Sequence, residues 1–374
     1  MKVAFWVAVA LVFYAYLGYA LWLWIYKWLN PRPVRRGIYQ PMVSVVMVVR
    51  DEENTLLRKL RNLAALEYPE DRLEFVVVSD GSRDGTEKIL FDAAANDTRC
   101  HVASFSDAKG KACRLNDALA MARGEIVLFV DARQQIERDA LRLLMENFVE
   151  DEVGCASGEL MLGDAESGEA EKGMGMYWRM EKKIREMESA SGSVVGATGA
   201  IYAARRSLLV PLPADTILDD VFLPLHVAKQ GARVVFDGRA QAWDSPDLGS
   251  GREFRRKVRT LTGNYQLLQI APWLLSGKNP LRFRFISHKL LRLIVPFALV
   301  VMLVASLAVP QPLYRIGFAM QLAFYALSLL ALARVQLGPV ARLANAALTL
   351  IVLNAAAVAA FGNFVTGRKE VWIR

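Results

Sequence analysis

Apolar residues cluster along this chain in two different ways. Four long stretches, residues 3–26, 293–314, 316–333 and 343–367, contain no Asp, Glu, Lys or Arg. A helix needs about 20 such residues to cross the hydrocarbon of a bilayer, so these read as one N-terminal and about three C-terminal transmembrane helices. Between them the pattern changes to short apolar, β-branched runs at 43–49, 74–79, 101–105 and 125–130, alternating with helical patterns at 52–65, after Asp84 and at 111–122. Apolar strands separated by helices predict an α/β domain, a mostly parallel sheet with helices on both faces. In such sheets ligands bind beyond the carboxyl ends of the strands. That rule selects residues 50–53, 79–85 and 131–133 before any motif is considered.

Composition sharpens this division. The chain has 374 residues, 54% of them hydrophobic and 22% charged, with a net charge of +8. All the charged residues lie outside the four runs. Residues 1–36 carry five basic and no acidic side chains, 282–374 carry ten basic and one acidic, and the middle, 37–281, is left at −6. A nucleic-acid-binding domain should itself be basic, so no nucleic-acid partner is expected. Cations flanking apolar runs mark the cytoplasmic side of a membrane. Lys27, Arg32, Arg35 and Arg36 follow the first run, which predicts an uncleaved anchor with its N-terminus outside and the middle domain in the cytoplasm. Four crossings would then place Arg368, Lys369 and Arg374 outside, so a re-entrant last segment is the alternative. Cys100, Cys113 and Cys155 have no metal-ligand spacing and read as reduced structural thiols.

The strand ends hold the candidate chemistry. In Ser79-Asp80-Gly81-Ser82-Arg83-Asp84-Gly85-Thr86-Glu87, Asp84 and Glu87 have capping-box spacing. Asp80 is not needed for that cap and could accept from a base or a ribose; turn chemistry is the alternative. Asp131 follows five apolar residues, where a carboxylate would hold a divalent cation on nucleotide phosphates. Lys111 heads a helix, a position that favours phosphate, although a solvated lysine is the commoner meaning. In Leu218-Asp219-Asp220 one carboxylate could act as a general base, while the other orients it or caps the helix.

Taken in order, these positions resemble a membrane-bound family-2 glycosyltransferase, similar to the synthases of hyaluronan, chitin, cellulose and poly-N-acetylglucosamine. The resemblance covers about residues 42–269. It rests on the opening strand with its acidic cluster, which includes Glu52, and on the Asp80-Gly81-Ser82 stretch. Lys111 to Leu119, Phe129-Val130-Asp131, the glycine-rich 196–200 and Leu218-Asp219-Asp220 complete it. It implies a GT-A-like fold, with Asp80 on uridine, Asp131 on Mg or Mn, Lys111 and Glu52 near the donor, Gly199 near the acceptor and Asp220 as base beside Asp219. Arg259 would help to hold the diphosphate. Two departures stand out. Asp131-Ala132-Arg133 replaces Asp-x-Asp, so either Asp131 with phosphates and water suffices for the metal or Arg133 partly replaces the cation. Arg256 and Thr260 replace the glutamine and tryptophan of Gln-x-x-Arg-Trp, which processive relatives use at the acceptor; Trp178 or Trp243 are the candidate substitutes.

The expected organisation is a transmembrane anchor at 1–28, a basic linker at 29–41 and a cytoplasmic catalytic domain at 42–265. An interfacial segment at 266–289, transmembrane helices at 290–367 and a basic tail at 368–374 follow. The expected protein is a multi-pass enzyme of the inner (plasma) membrane, in contact with membrane lipids. It would move a sugar with inversion from a nucleotide-sugar, a UDP-sugar by resemblance, to a glycan or lipid-linked acceptor in cell-envelope glycan synthesis. The alternatives are single-sugar transfer to a polyprenyl-phosphate carrier and a non-catalytic nucleotide-sugar-binding subunit. A transporter is disfavoured because the apolar runs contain no ionisable residue of the kind that marks an ion path.

Overall fold

The structure is a computed structural model that describes residues 1–164, 169–170, 176–244, 250–333, 335 and 338–367. The chain opens with α1 (Lys2–Leu29), a helix interrupted by a π-helical turn at Tyr14–Gly18. Then come β1 (Val43–Val49), α2 (Glu53–Ala64), β2 (Leu73–Asp80), α3 (Thr86–Asn96), β3 (Cys100–Phe105), α4 (Lys111–Met121) and β4 (Ile126–Val130). The second half of the domain holds β5 (Gln135–Ile136), α5 (Ala140–Met145), β6 (Val153–Asp164), β7 (Glu169–Ala170), α6 (Met176–Ala190) and β8 (Ile201–Arg205). It ends with α7 (Asp219–Lys229), β9 (Arg233–Asp244) and α8 (Ser250–Ile270). The remaining helices are α9 (Arg282–Ala308), α10 (Pro312–Leu332) and α11 (Ala341–Thr366).

The sheet runs β3-β2-β1-β4-β8-β6-β9-β5, with β7 paired to β6. Its first four strands are parallel, as the alternating pattern predicts; β8 enters antiparallel to both β4 and β6, and β6 and β9 are again parallel. The sheet is therefore mixed but mostly parallel. Apolar side chains alternate between its two faces. Val45, Met47 and Leu128 join the core under α2 and α5, while Val46, Val76 and Phe129 join the core under α4 and α7. Burying both faces is what makes strands such as 126–130 uniformly apolar.

Four helices, α1, α9, α10 and α11, are long and apolar enough to cross a membrane. The interfacial boundaries differ from expectation. Helix α8 runs through the expected break at 265/266, and α9 starts at Arg282, before the expected start at 290. Helix α11 is unbroken over 26 residues, about 39 Å at 1.5 Å per residue, so it lacks the break a re-entrant hairpin needs. Arg368, Lys369 and Arg374 lie outside the described residues. The last third of α1 is partly a contact with the catalytic domain, because Tyr19 and Leu23 pack on Ile184 of α6. All three cysteines are free thiols, and Cys100 and Cys155 are buried. The capping box is not formed: the Glu87 carboxylate accepts from Ser104 on the neighbouring strand instead. A cross-strand partner outcompetes the local one.

A buried arginine helps to fasten α9 to the domain. Arg284, in the first turn of α9, donates to the carbonyls of Glu188 (2.6 Å), Ser191 (2.8 Å) and Ser193 (2.8 Å) at the end of α6. A guanidinium with five fixed donors suits three converging carbonyls. Arg284→Met leaves those buried oxygens without donors, at about 1–3 kcal/mol each. The variant is expected to unfold several degrees below the wild type in a thermal scan in detergent, whereas Arg282→Met, at an exposed position, leaves the midpoint unchanged.

Candidate active site

The loops after β1 and β2 are stitched together by their own polar groups. The Asp51 carboxylate accepts from the Arg83 amide (2.7 Å), and Glu53 and the 84–85 turn exchange two bonds, Gly85 N to Glu53 Oε2 (2.7 Å) and Glu53 N to Asp84 Oδ2 (3.1 Å). Asp51 holds φ 51°, an uncommon conformation for a residue with a side chain. Glu52 donates its amide to the Thr86 hydroxyl (2.8 Å), and its carboxylate accepts from Thr55 (2.5 Å). Its described contacts are thus local.

Asp80 is almost fully enclosed. It accepts from the amides of Lys109 (2.7 Å) and Gly110 (2.9 Å) and from Arg114 Nε (3.0 Å). Gly81 makes this possible, since at φ 65° a Cβ there would lie 3.0 Å from the Ala108 nitrogen. Arg114 is itself buried, bonded also to Asp107 and Asp117 and stacked 3.7 Å over Phe105. Sequence reasoning missed Arg114, because a lysine- and arginine-bearing helix start gives no sign that one of its cations is internal.

The centre of the site lies where β4, α4, α7 and the 198–200 turn meet. Lys111 Nζ stands 2.9 Å from Asp131 Oδ1 and 3.4 Å from Asp219 Oδ2. Asp220 Oδ2 accepts from the Gly199 amide at 3.1 Å. A Cβ on Gly199 would lie 3.4 Å from Asp220 Oδ2 and 3.5 Å from Asp131 Oδ2, so glycine leaves these two carboxylates facing one gap. Neither Asp219 nor Asp220 makes a side-chain cap on α7, which removes capping as the reason for the pair. Burial, and then the charge of Asp219, push the Asp220 carboxyl up to about 6, with Lys111 opposing. Burial alone would depress Lys111, but Asp131 and Asp219 hold its ammonium above the ordinary lysine range.

Five of the expected residues, Lys111, Asp131, Gly199, Asp219 and Asp220, are therefore brought together. Others stand apart. Arg133 is exposed, and the cation on Asp131 is Lys111 rather than Arg133. Arg259 lies on α8, its Nε buried without a hydrogen-bond partner among the described residues. The start of α8 does reach the strand end: Asp244 Oδ2 accepts from both Gln134 Nε2 and Arg256 Nη1, each at 3.2 Å. Trp243 is buried and bonded to Glu137 (2.6 Å), whereas Trp178 lines a small cavity with Thr198, the neighbour of Gly199. Behind Asp131, the buried Lys59 donates to the Gln134 carbonyl (2.7 Å); burial pulls it down to about 7, with Asp131 opposing.

Among the described residues no group of three or more His, Cys, Asp or Glu could hold a metal. One carboxylate does fit a cation that the donor helps to ligate, since Mg²⁺ is usually held by one or two carboxylates together with substrate phosphates. Asp131 Oδ2 is the oxygen of that carboxylate that faces the gap.

Residues 44–210 match the family model described as "Glycosyl transferase family 2". The chain carries a family-2 glycosyltransferase domain. The poly-beta-1,6-N-acetyl-D-glucosamine synthase of Staphylococcus aureus is 23% identical over 230 residues, covering 60% of this chain and 55% of that protein. The beta-monoglucosyldiacylglycerol synthase of Trichormus variabilis is 28% identical over 203 residues, 52% of this chain and 43% of that one. The chain thus spans about half the length of the curated relatives it matches. A mannosyltransferase from Pyrobaculum calidifontis, solved in complex with GDP-Man and Mn²⁺, superposes with a TM-score of 0.73 at 24% identity, over 98% of this chain and 99% of that one. Its likeness shows a shared GT-A-like fold over nearly the whole of both chains, the four long apolar helices included.

The position of the Asp219-Asp220 pair depends on α8. Gln266 accepts from the Ile217 amide (3.0 Å), and a Cβ on Gly263 would meet Leu218 Cγ at 2.5 Å. Gly263→Ala is expected to destabilise the family-2 domain by about 1–3 kcal/mol through overpacking, read as a lower unfolding midpoint. Gly251→Ala on the same helix meets open space and is expected to be neutral.

Proposed function

We propose that the protein is an inverting glycosyltransferase of the plasma membrane, its catalytic domain cytoplasmic, that transfers a sugar from a nucleoside-diphosphate sugar to a membrane-associated acceptor. The observation that carries this is the shared gap of Asp131 and Asp220, with Lys111 beside it and an Asp220 carboxyl poised near 6. A general base works best with a pKa near the working pH. Asp220 takes the proton of the acceptor hydroxyl as its oxygen attacks the anomeric carbon. The bond to the nucleoside diphosphate breaks in the same step, so the configuration inverts. Asp219 keeps Lys111 in place, and Lys111 can turn from Asp131 to the departing phosphates. Asp131 would hold a divalent cation together with donor phosphate oxygens, and such an ion supplies charge neutralisation to the leaving group. Asp80, through Lys109 and Gly110, shapes the loop against which the base would sit.

The donor is proposed to be a UDP-sugar, with GDP-mannose the comparison to include because of the archaeal mannosyltransferase. Two products are compatible with the membrane setting, a growing glycan or a singly glycosylated lipid. Thr260, in place of the tryptophan of processive enzymes, favours the single transfer. A ladder of products on a gel would reverse that preference.

Asp220→Asn is expected to lower the transfer rate about 10²- to 10⁴-fold while leaving nucleotide affinity intact, measured as nucleoside diphosphate released in membranes supplied with acceptor. Full transfer by a folded Asn variant would overturn the mechanism. Protonated Asp220 cannot act as a base, so the wild-type rate should fall as pH drops through about 6. A cation held largely by the donor should bind weakly to the protein alone. Mn²⁺ titration is expected to tighten at least tenfold when nucleoside diphosphate is present, and Asp131→Asn should abolish that gain.

A further inference from the structure

The family-2 domain buries a cation that the transfer chemistry does not use. Lys59, in the middle of α2, has no exposed surface, and its ammonium donates to the Gln134 carbonyl at 2.7 Å. Among the described residues that is its one hydrogen-bond partner, and no carboxylate pairs with it. An ammonium in water makes three strong hydrogen bonds, so burying it against a single carbonyl is unfavourable. An apolar side chain of similar length would fill the same space without that penalty. Stability of the fold therefore gives no reason for a lysine here.

The reason lies in its partner. Gln134 comes three residues after Asp131, on the segment that leaves β4, passes outward at the exposed Arg133 and returns to the interior. Helix α2 clasps this segment at two points. Lys59 takes the Gln134 carbonyl, and Asn62 exchanges two bonds with Ile136, its Nδ2 donating to the carbonyl and its Oδ1 accepting from the amide, each at 2.8 Å. Lys59 and Asn62 are three residues apart, so both point from one face of the helix. On the other side, Gln134 Nε2 donates to Asp244 Oδ2, which also accepts from Arg256 of α8, and β5 pairs with Trp243 and Ala242 of β9. The Asp131 carboxylate is held differently. Its Oδ1 accepts from Lys111, while its Oδ2 faces the gap. The direction of Oδ2 thus follows the path of the backbone after β4, and the clasp fixes that path. Lys59 and Asp131 are also electrostatic neighbours: burial lowers the proton affinity of Lys59, and the charge of Asp131 opposes it.

We propose that Lys59 is a positioning residue of the site: through the Gln134 carbonyl, and with Asn62 beside it, it fixes the strand end from which Asp131 Oδ2 faces the gap. This rests on the transferase reading and deepens it, because a side chain outside the gap then sets the geometry of a carboxylate inside it. A displacement of about 1 Å at a site can cost about 100-fold in function, so a clasp that opposes stability can still be kept.

The test uses the full chain in detergent, with Mn²⁺ and UDP as probes and a thermal scan of each variant. Lys59→Met is expected to unfold at or above the wild-type midpoint, since it removes a buried charge. It should nevertheless weaken Mn²⁺ binding in the presence of UDP by about 10- to 100-fold, with UDP affinity in the absence of metal unchanged. Asn62→Leu should weaken Mn²⁺ binding in the same way, and the double variant should lose less than the product of the two losses, because both act on one segment. Wild-type Mn²⁺ affinity in Lys59→Met would overturn the proposal. So would a lowered midpoint that accompanies the loss, which would assign Lys59 to the fold, or fully multiplicative losses in the double variant. Release of nucleoside diphosphate from nucleotide sugars is measured separately on the wild type. Its absence, with Mn²⁺ binding intact, would sink the transferase reading and leave the clasp standing.

Discussion

Three carboxylates, Asp131, Asp219 and Asp220, converge on one partly enclosed space, and Lys111 is the ammonium among them. Two like charges about 4 Å apart repel by about 4 kcal/mol at an effective dielectric near 20. Without the lysine the site would open or protonate. With it, the charge is divided unequally. Lys111 stands against Asp131 and Asp219, while Asp220 faces Gly199 and is left with a raised proton affinity. In the proposed mechanism the distinction between a carboxylate that binds and one that takes a proton follows from which of them the ammonium reaches.

That division needs elements far apart in sequence to meet with sub-ångström tolerance. The parallel strands bring Asp80 and Asp131 to the same edge, and α7 delivers Asp219 and Asp220 from nearly ninety residues further on. Helix α8 then locks the segment before α7, through Gln266 on the Ile217 amide and through the tight approach of Gly263 to Leu218. Because α8 also packs on α11 through Val258, Ala356 and Ala360, the position of the Asp219-Asp220 pair is tied to one of the long apolar helices.

What was legible in the sequence follows from how local each signal is. Strand 43–49 and the helix start at Lys111 emerged as read, because an apolar run and a helix onset are properties of neighbouring residues. The strand ends were legible because topology alone puts ligands there. The capping box failed, since Ser104 comes from another strand and no local spacing announces it. Arg133 attracted notice only by adjacency to Asp131, whereas the cation that meets Asp131 comes from the start of α4. Arg114, Lys59, Gly263 and Gln266 escaped for the same reason: each acts across the fold, on a partner that the sequence does not place beside it. The boundaries expected at 265 and 290 fall inside α8 and α9, because neither helix has a compositional edge there.

The basic flank of α9 shows where an average property conceals a specific one. Read as composition, Arg284, Lys289 and Arg292 are what any cytoplasmic flank contains. In the fold they are not equivalent. Arg284 is fully used by three carbonyls of α6 and is structural. Arg292 gives one nitrogen to Glu181 and Tyr177, which ties α9 to α6, while its Nε and Nη2 are buried without a hydrogen-bond partner among the described residues. Cations that composition alone would assign to a membrane flank thereby hold the first turns of α9 to α6.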